Sequence, residues 1–365
     1  MFTKFIIVCV VLCQLKYTVG QSSVGTTCTT PAQTPGTCVT INDCPVLLNL
    51  LLTQSNNKTV RNYLRSSVCE NNGRNPVVCC PLQRSGIQND NNAPSNPGSV
   101  RLPRSPNCGF SNTTTPRIIN GVPAKLGEFP WIVALGYRNA KNPDLPRWLC
   151  GGSLITSRHI LTAGHCVYNQ SNLYLARIGD LDLFSDDDGA SPSTIPLTTD
   201  RKVHEDFNPS KYSNDIAILT LEREVNNPTV WPICLPFIEP FRSMSYLNFA
   251  PALAGWGSTA FGGPSSATLQ QIFVPVLSNQ ICEQNFSRAA TIDARIICAG
   301  SLNGDKDACG GDSGGPLMHE INEGTNYRVY QIGIVSYGFR CASPGYPGVY
   351  TRVTAFVDWI QKNLD

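Results

Sequence analysis

The sequence predicts an all-β protein, and three observations carry that prediction. From Ile118 onward, short apolar runs (131–135, 153–156, 174–178, 216–221, 329–336 and 348–353) are separated by Gly, Pro, Asn and Asp, the pattern of a large antiparallel domain. Sixteen cysteines are spread through 365 residues, far more than a cytosolic chain keeps reduced. Charged residues make up only 15% against 41% apolar, with 30 Gly and 27 Pro, which excludes a coiled coil and an acidic disordered polymer. A net charge of +2 gives no electrostatic reason to expect nucleic acid or an anionic membrane as partner.

Taken in order, the chain opens with Lys4 and the apolar run Phe5 to Leu12, then polar residues to Gly20. This is a secretion signal over 1–20 with cleavage before Gln21, too short to cross a bilayer core of about 30 Å. Cys9 and Cys13 leave with it, and the remaining fourteen cysteines fall into two groups. Neither group has the close pairs of a zinc site, so disulfides are expected. Residues 21–80 form a small module with Cys28, Cys38, Cys44, Cys69, Cys79 and Cys80, whose six thiols allow fifteen pairings. Within it, Pro45 opens a short apolar helix. Residues 81–117, rich in Asn, Pro, Ser and Gly up to Pro106, read as a mobile linker and activation segment. The main domain, 118–365, ends in a helix: Thr354 is its expected cap, and Phe356, Trp359, Ile360 and Leu364 form its packing stripe.

Three separated clusters carry the chemistry: Leu161-Thr162-Ala163-Gly164-His165-Cys166, Asn214-Asp215-Ile216, and Gly310-Gly311-Asp312-Ser313-Gly314-Gly315. A serine hydroxyl is a weak nucleophile at neutral pH and needs a base; an imidazole is suited to that role, and a carboxylate fixes its tautomer. With these surroundings, the order His165, Asp215, Ser313 resembles the chymotrypsin-like serine endopeptidases over all of 118–365. The resemblance implies two six-stranded antiparallel β-barrels and an oxyanion hole built from the N-H groups of Gly311 and Ser313. Gly164 departs from the family, which usually has Ala there.

The same resemblance places Asp307 at the floor of the primary specificity pocket, with Ser336, Gly338 and Gly348 along its walls. A carboxylate there matches a basic substrate residue. Ala308 stands where trypsin has Ser, which removes a partner for an ammonium but not for a guanidinium, so cleavage after Arg is expected over Lys. Pro347 stands where sodium-activated relatives have Tyr, so no sodium dependence is expected. Pro116-Arg117-Ile118-Ile119 resembles an activation site, at which cleavage after Arg117 frees the Ile118 ammonium to pair with Asp312. The family pairings are Cys150 with Cys166, Cys282 with Cys298, and Cys309 with Cys341. They leave Cys108 for Cys234, across the cleavage site.

With nine, five, twenty-four and nine residues between successive cysteines and then an adjacent pair, the first module resembles the clip domain of arthropod extracellular proteases. That implies Cys28 with Cys79, Cys38 with Cys69 and Cys44 with Cys80. The runs Gly121 to Gly127, Ile178 to Leu181 and Asp186 to Gly189 look like the clip-domain serine proteases of bee venom. The resemblance implies a glycoprotein secreted into haemolymph or venom, acting on prophenoloxidase, another protease zymogen or Toll-pathway proteins. An upstream trypsin-like activator and serpin inhibitors are expected partners. No cofactor is required, and Asp180 and Asp188 are the candidate ligands for a structural calcium ion. Asn57, Asn112, Asn169 and Asn285 begin glycosylation sequons. The alternative is a clip-domain pseudoprotease serving as a binding cofactor, in which Gly commonly replaces the serine found here at Ser313.

Overall fold

The computed structural model describes residues 24–31, 35–44, 47–48, 51, 58–70, 76–81, 100–111, 122–185, 187–258, 262–286, 290–304, 311–323, 326–338 and 343–364. The chain divides into two compact units, Met1–Gln88 and Asn89–Asp365.

The first unit is a four-stranded antiparallel sheet of β1 (Thr27–Thr29), β2 (Pro35–Thr40), β3 (Val68–Glu70) and β4 (Val77–Pro81), in the order β1-β2-β4-β3. Helix α1 (Lys58–Ser66) leads into β3. Disulfides Cys28–Cys79, Cys38–Cys69 and Cys44–Cys80 form as the resemblance implied. The core is small, built on Ile41, Cys44, Leu47 and Val78, so three crosslinks supply what apolar burial alone does not. Of the helix expected from Pro45, Leu47, Leu48 and Leu51 are helical, and its other residues lie outside the described set.

In the second unit, β5 (Val122–Pro123) precedes a closed six-stranded antiparallel barrel. Its strands are β6 (Ile132–Tyr137), β7 (Arg147–Leu154), β8 (His159–Thr162), β9 (Leu173–Ile178), β10 (Ser193–Val203) and β11 (Ala217–Leu221). The second half contains β12 (Ala252–Gly255), β13 (Gln270–Phe273), β14 (Val276–Leu277), β15 (Ile296–Ala299), β16 (Pro316–Glu323), β17 (Asn326–Tyr337) and β18 (Gly348–Arg352). Its sheet runs β14-β15-β18-β17-β16-β12-β13-β5. The six longer strands are the expected second barrel, flanked by two-residue strands at its edges, and among the described residues its ladder stays open. Helix α2 (Asn279–Phe286) packs before β15, and helix α3 (Val357–Lys362) closes the chain.

Barrel strands β6 and β8 are buried along their whole length, β6 as its apolar run requires and β8 with the polar His159 and Thr162 at its ends. The C-terminal stripe holds: Phe356, Ile360 and Leu364 are buried and Trp359 packs beside them. Its cap differs from expectation. Thr354 lies within a 3-10 turn over Val353–Ala355, and Phe356 takes the cap position with no side-chain bond, because the turn and the helix follow each other without a break.

The mobile-linker reading does not hold for 100–111, while 82–99 and 112–117 lie outside the described residues. From Val100 the chain belongs to the second unit: Leu102 is buried in its core, the Ser105 hydroxyl donates to Glu323, and Gly109 exchanges backbone bonds with Pro232 and Val329. Such docking proceeds one side chain at a time and leaves no periodicity in the sequence. The expected boundary at Ile118 therefore falls later than the start of the folded unit.

Candidate active site

Each half of the second unit contributes to one cluster. His165 sits in a 3-10 turn, Gly164–Cys166, directly after β8, and Asp215 lies just before β11, which pairs with β8. That pairing brings the two side chains together. Asp215 is fully buried, its Oδ2 lies 2.8 Å from His165 Nδ1, and its Oδ1 accepts the His165 backbone N-H at 2.8 Å. The Ser336 hydroxyl donates to Oδ2 at 2.5 Å, and Thr351 Oγ1 donates to the Asp215 carbonyl at 2.8 Å. A carboxylate only accepts, so Nδ1 carries the imidazole proton and Nε2 keeps its lone pair for a substrate-side proton.

Ser313 comes from the other half, in a tight turn before β16 closed by the Gly315 N-H to the Asp312 carbonyl at 2.9 Å. Its carbonyl accepts from the Gly151 N-H of β7 at 2.7 Å, which ties the turn to the first barrel. One sulfur, Cys166 Sγ, lies 3.7 Å from His165 Nε2 and 3.6 Å from the Ser313 carbonyl oxygen, so the base and the nucleophile-bearing turn flank the same Cys150–Cys166 bridge.

Two glycines here are required. Gly314 has φ +80°, and a Cβ on it would meet Thr162 Oγ1 at 2.2 Å. Gly311 has φ +102°, a backbone state that other residues rarely adopt, as a turn presenting successive N-H groups needs. Beside them, Asp312 Oδ1 accepts the Gly257 N-H at 2.9 Å, in a niche where a Cβ on Gly255 would fall 2.1 Å from the carboxylate.

The structure thus brings together His165, Asp215, Ser313, Gly311, Asp312 and Ser336. Gly348 is buried at the start of β18, and Gly338 is exposed just past β17. Arg117, Ile118, Asp307, Cys309, Cys341, Asn57 and Asn112 lie outside the described residues. Cys108–Cys234 and Cys282–Cys298 form as expected. Asn169 and Asn285 are both exposed. Asp180 and Asp188 do not fit a calcium ion. Asp180 is buried and ion-paired with Arg177, while Asp188 Oδ2 and Oδ1 accept the backbone N-H groups of Asp182 and Ala190 at 2.7 and 2.8 Å. Burial outweighs the Arg177 guanidinium and holds the Asp180 carboxyl above its ordinary range.

Sequence reasoning missed the aromatic wall of the site. The Tyr212 ring stands edge-on to His165 at 5.8 Å and contacts Tyr337 at 5.0 Å, which in turn meets Phe286 at 5.6 Å. Burial, with the nearby Asp215 charge adding to it, pushes the Tyr337 phenol up. Thr351 was missed as well; nothing in its local sequence marks it, since its role appears only when β18 lies beside Asp215.

Such a cluster activates a serine for attack on a carbonyl, with the buried carboxylate holding the imidazole in place and balancing its charge once it is protonated. Fold and site together define a serine endopeptidase of the trypsin fold. Comparison with known proteins agrees: the trypsin family matches residues 118–360, and the regulatory CLIP domain of proteinases matches residues 28–80. The chain belongs to the CLIP-domain serine proteases. It is 43% identical to a venom serine protease, Bi-VSP, of Bombus ignitus over 98% of this chain and 97% of that one. It is 40% identical to the proclotting enzyme of Tachypleus tridentatus, over 90% and 87% of the two chains. It is 34% identical to phenoloxidase-activating factor 3 of Holotrichia diomphalia, over 92% and 93%.

Proposed function

We propose that this serine protease is secreted as an inactive zymogen, is cleaved between Arg117 and Ile118 by another trypsin-like protease, and then cuts protein substrates after Arg in preference to Lys. The observation that carries the reading is the buried Asp215 against His165 Nδ1 at 2.8 Å beside the Ser313 turn. Asp307 supports basic specificity, and Ala308 tips it towards the guanidinium, which grips a carboxylate with two parallel bonds. The Asp312 niche, lined by Gly255 and Gly257, supports a role for that carboxylate as partner of a new amino terminus. Its natural setting is an extracellular protease cascade, and its relatives include a Spaetzle-processing enzyme and phenoloxidase-activating factors. A venom role is favoured by one further observation, the similarity to two Bombus venom proteases.

The test is direct. Cleavage at Arg117 should render Ser313 reactive to a labelled fluorophosphonate and should release activity on arginyl esters well above matched lysyl esters. Arg117→Gln should stay silent on exposure to trypsin-like activators. A cleaved protein that takes no label overturns the enzyme reading, and equal turnover of the two esters overturns the preference.

A further inference from the structure

Beyond the residues that touch Asp215 directly, a clamp from the second half of the domain holds the turn in which Asp215 sits. Asp215 is the central residue of a three-residue turn closed by the Ile216 N-H to the Asn214 carbonyl at 2.9 Å. Asn214, at its start, has φ +54° and is 9% exposed. Its amide is fixed at both ends: Nδ2 donates to the Asp206 carbonyl at 2.9 Å, and Oδ1 accepts from Arg295 Nη1 at 2.5 Å. That bonding leaves no freedom to flip the amide, since an exchange would set donor against donor and acceptor against acceptor.

Arg295 comes from the loop before β15, across the domain from β11. Its Nε and Nη2 engage both carboxylate oxygens of Asp293 at 2.5 to 3.1 Å, which leaves Nη1 to reach Asn214. The loop is itself pinned. Asn279 Nδ2 donates to the carbonyls of Asp293 and Ile296 at 2.9 Å, and the Arg352 N-H donates to the Arg295 carbonyl at 2.7 Å. The guanidinium is therefore pre-oriented before it meets Asn214. The clamp joins the half that carries Ser313 to the turn that carries Asp215, and so fixes the dyad relative to the nucleophile.

We infer that Arg295, oriented by Asp293 and acting through Asn214, is a positioning residue for the catalytic carboxylate. The inference rests on the endopeptidase reading of the same site. A guanidinium suits the place because one planar group satisfies a two-oxygen partner and a third acceptor at once, which a lysine cannot do. Small displacements of a catalytic group are costly in rate, so loss of the clamp acts on the chemical step and not on substrate binding.

The test uses the full chain activated by cleavage, with active sites counted by fluorophosphonate labelling. In Arg295→Ala, kcat per labelled site on an arginyl ester should fall about tenfold with KM unchanged. Asn214→Gly removes the acceptor while tolerating the left-handed backbone, and should produce the same loss. The double variant should be no slower than the slower single one, because both substitutions break one link. Unchanged kcat per site in either single variant, a rise in KM without a fall in kcat, or multiplying losses in the double variant would each overturn the inference. Wild-type activity reads the endopeptidase assignment separately, since the clamp is judged only on variant-to-wild-type ratios.

Discussion

Asp215 Oδ1 and Oδ2 accept three donors, the His165 backbone N-H, His165 Nδ1 and the Ser336 hydroxyl. An amide in its place has one oxygen and an NH2 that faces a donor, so Asp215→Asn forces the imidazole towards the wrong tautomer. Asp215→Asn should leave the fold intact and lower kcat by about four orders of magnitude, measured on an arginyl ester after active-site titration. The departure at Gly164 has a local cause. A Cβ there would stand 3.2 Å from the Phe207 ring and 3.3 Å from Asp215 Oδ1, so the methyl usual in the family would crowd the aromatic ring and the carboxylate by a few tenths of an ångström. Gly164→Ala should destabilise the protein by about 1 to 3 kcal/mol through overpacking, measured by chemical denaturation. Adding Phe207→Leu should recover most of that loss; equal stability of wild type and Gly164→Ala would rule out the crowding account.

Among the elements, α3 shows how packing and titration meet. His204, next to β10, stacks on Trp359 at 5.2 Å and meets Phe356 edge-on at 5.3 Å, while the Trp359 indole donates to Glu205 at 2.8 Å. Burial holds the His204 pKa below its ordinary value, against the opposing pull of Glu205 and Asp206 and with help from Arg295. The unfolded chain therefore takes up this proton more readily than the folded one, so the contribution of neutral His204 is complete above about pH 6.5 and is lost as pH falls through that value towards the folded pKa. The thermal midpoint should drop between pH 7 and pH 5 by more in the wild type than in His204→Phe, which keeps the stack without the proton. The apolar stripe of α3 was legible in the sequence because helical spacing repeats every three or four residues, and barrel strands such as β6 were legible as continuous apolar runs. Strand β10 was not, since Ser193–Val203 is rich in Thr and charged residues and its burial comes from its neighbours β9 and β11. The residues of the candidate site, His165, Asp215 and Ser313, were legible because the chemistry proposed for them restricts residue type within short segments. Arg295, Thr351 and Tyr212 were not, because their roles exist only through contacts with residues distant in the chain.

At the scale of the whole molecule, the proposed activation asks for a chain that is cut yet stays together. Cys108–Cys234 spans 126 residues of sequence, within which the proposed cleavage after Arg117 falls. It is not the sole attachment. Leu102 is buried in the main core, the Arg104 guanidinium lies 5.4 Å over the Phe237 ring, and Glu323 accepts hydroxyl protons from both Ser105 and Tyr330 at 2.5 Å. Burial of the ring and the bond and charge of the Glu323 carboxylate together push the Tyr330 phenol up, as expected of a buried hydroxyl bonded to a carboxylate. These contacts distinguish two ways of holding the fragments together. The cleaved wild type should run as one species on a denaturing gel without reductant and as two with it. Replacing Cys108 and Cys234 together by Ser should yield two bands without reductant, while gel filtration under native conditions still shows one particle held by Leu102 and the Ser105–Glu323 bond. Adding Glu323→Ala and Leu102→Ser to that variant should separate the N-terminal fragment on the column. Separation in the cysteine double variant alone would mean that these side-chain contacts are too weak to hold the fragments. A cleaved wild type that already runs as two bands without reductant would mean that the bridge does not cross the cut.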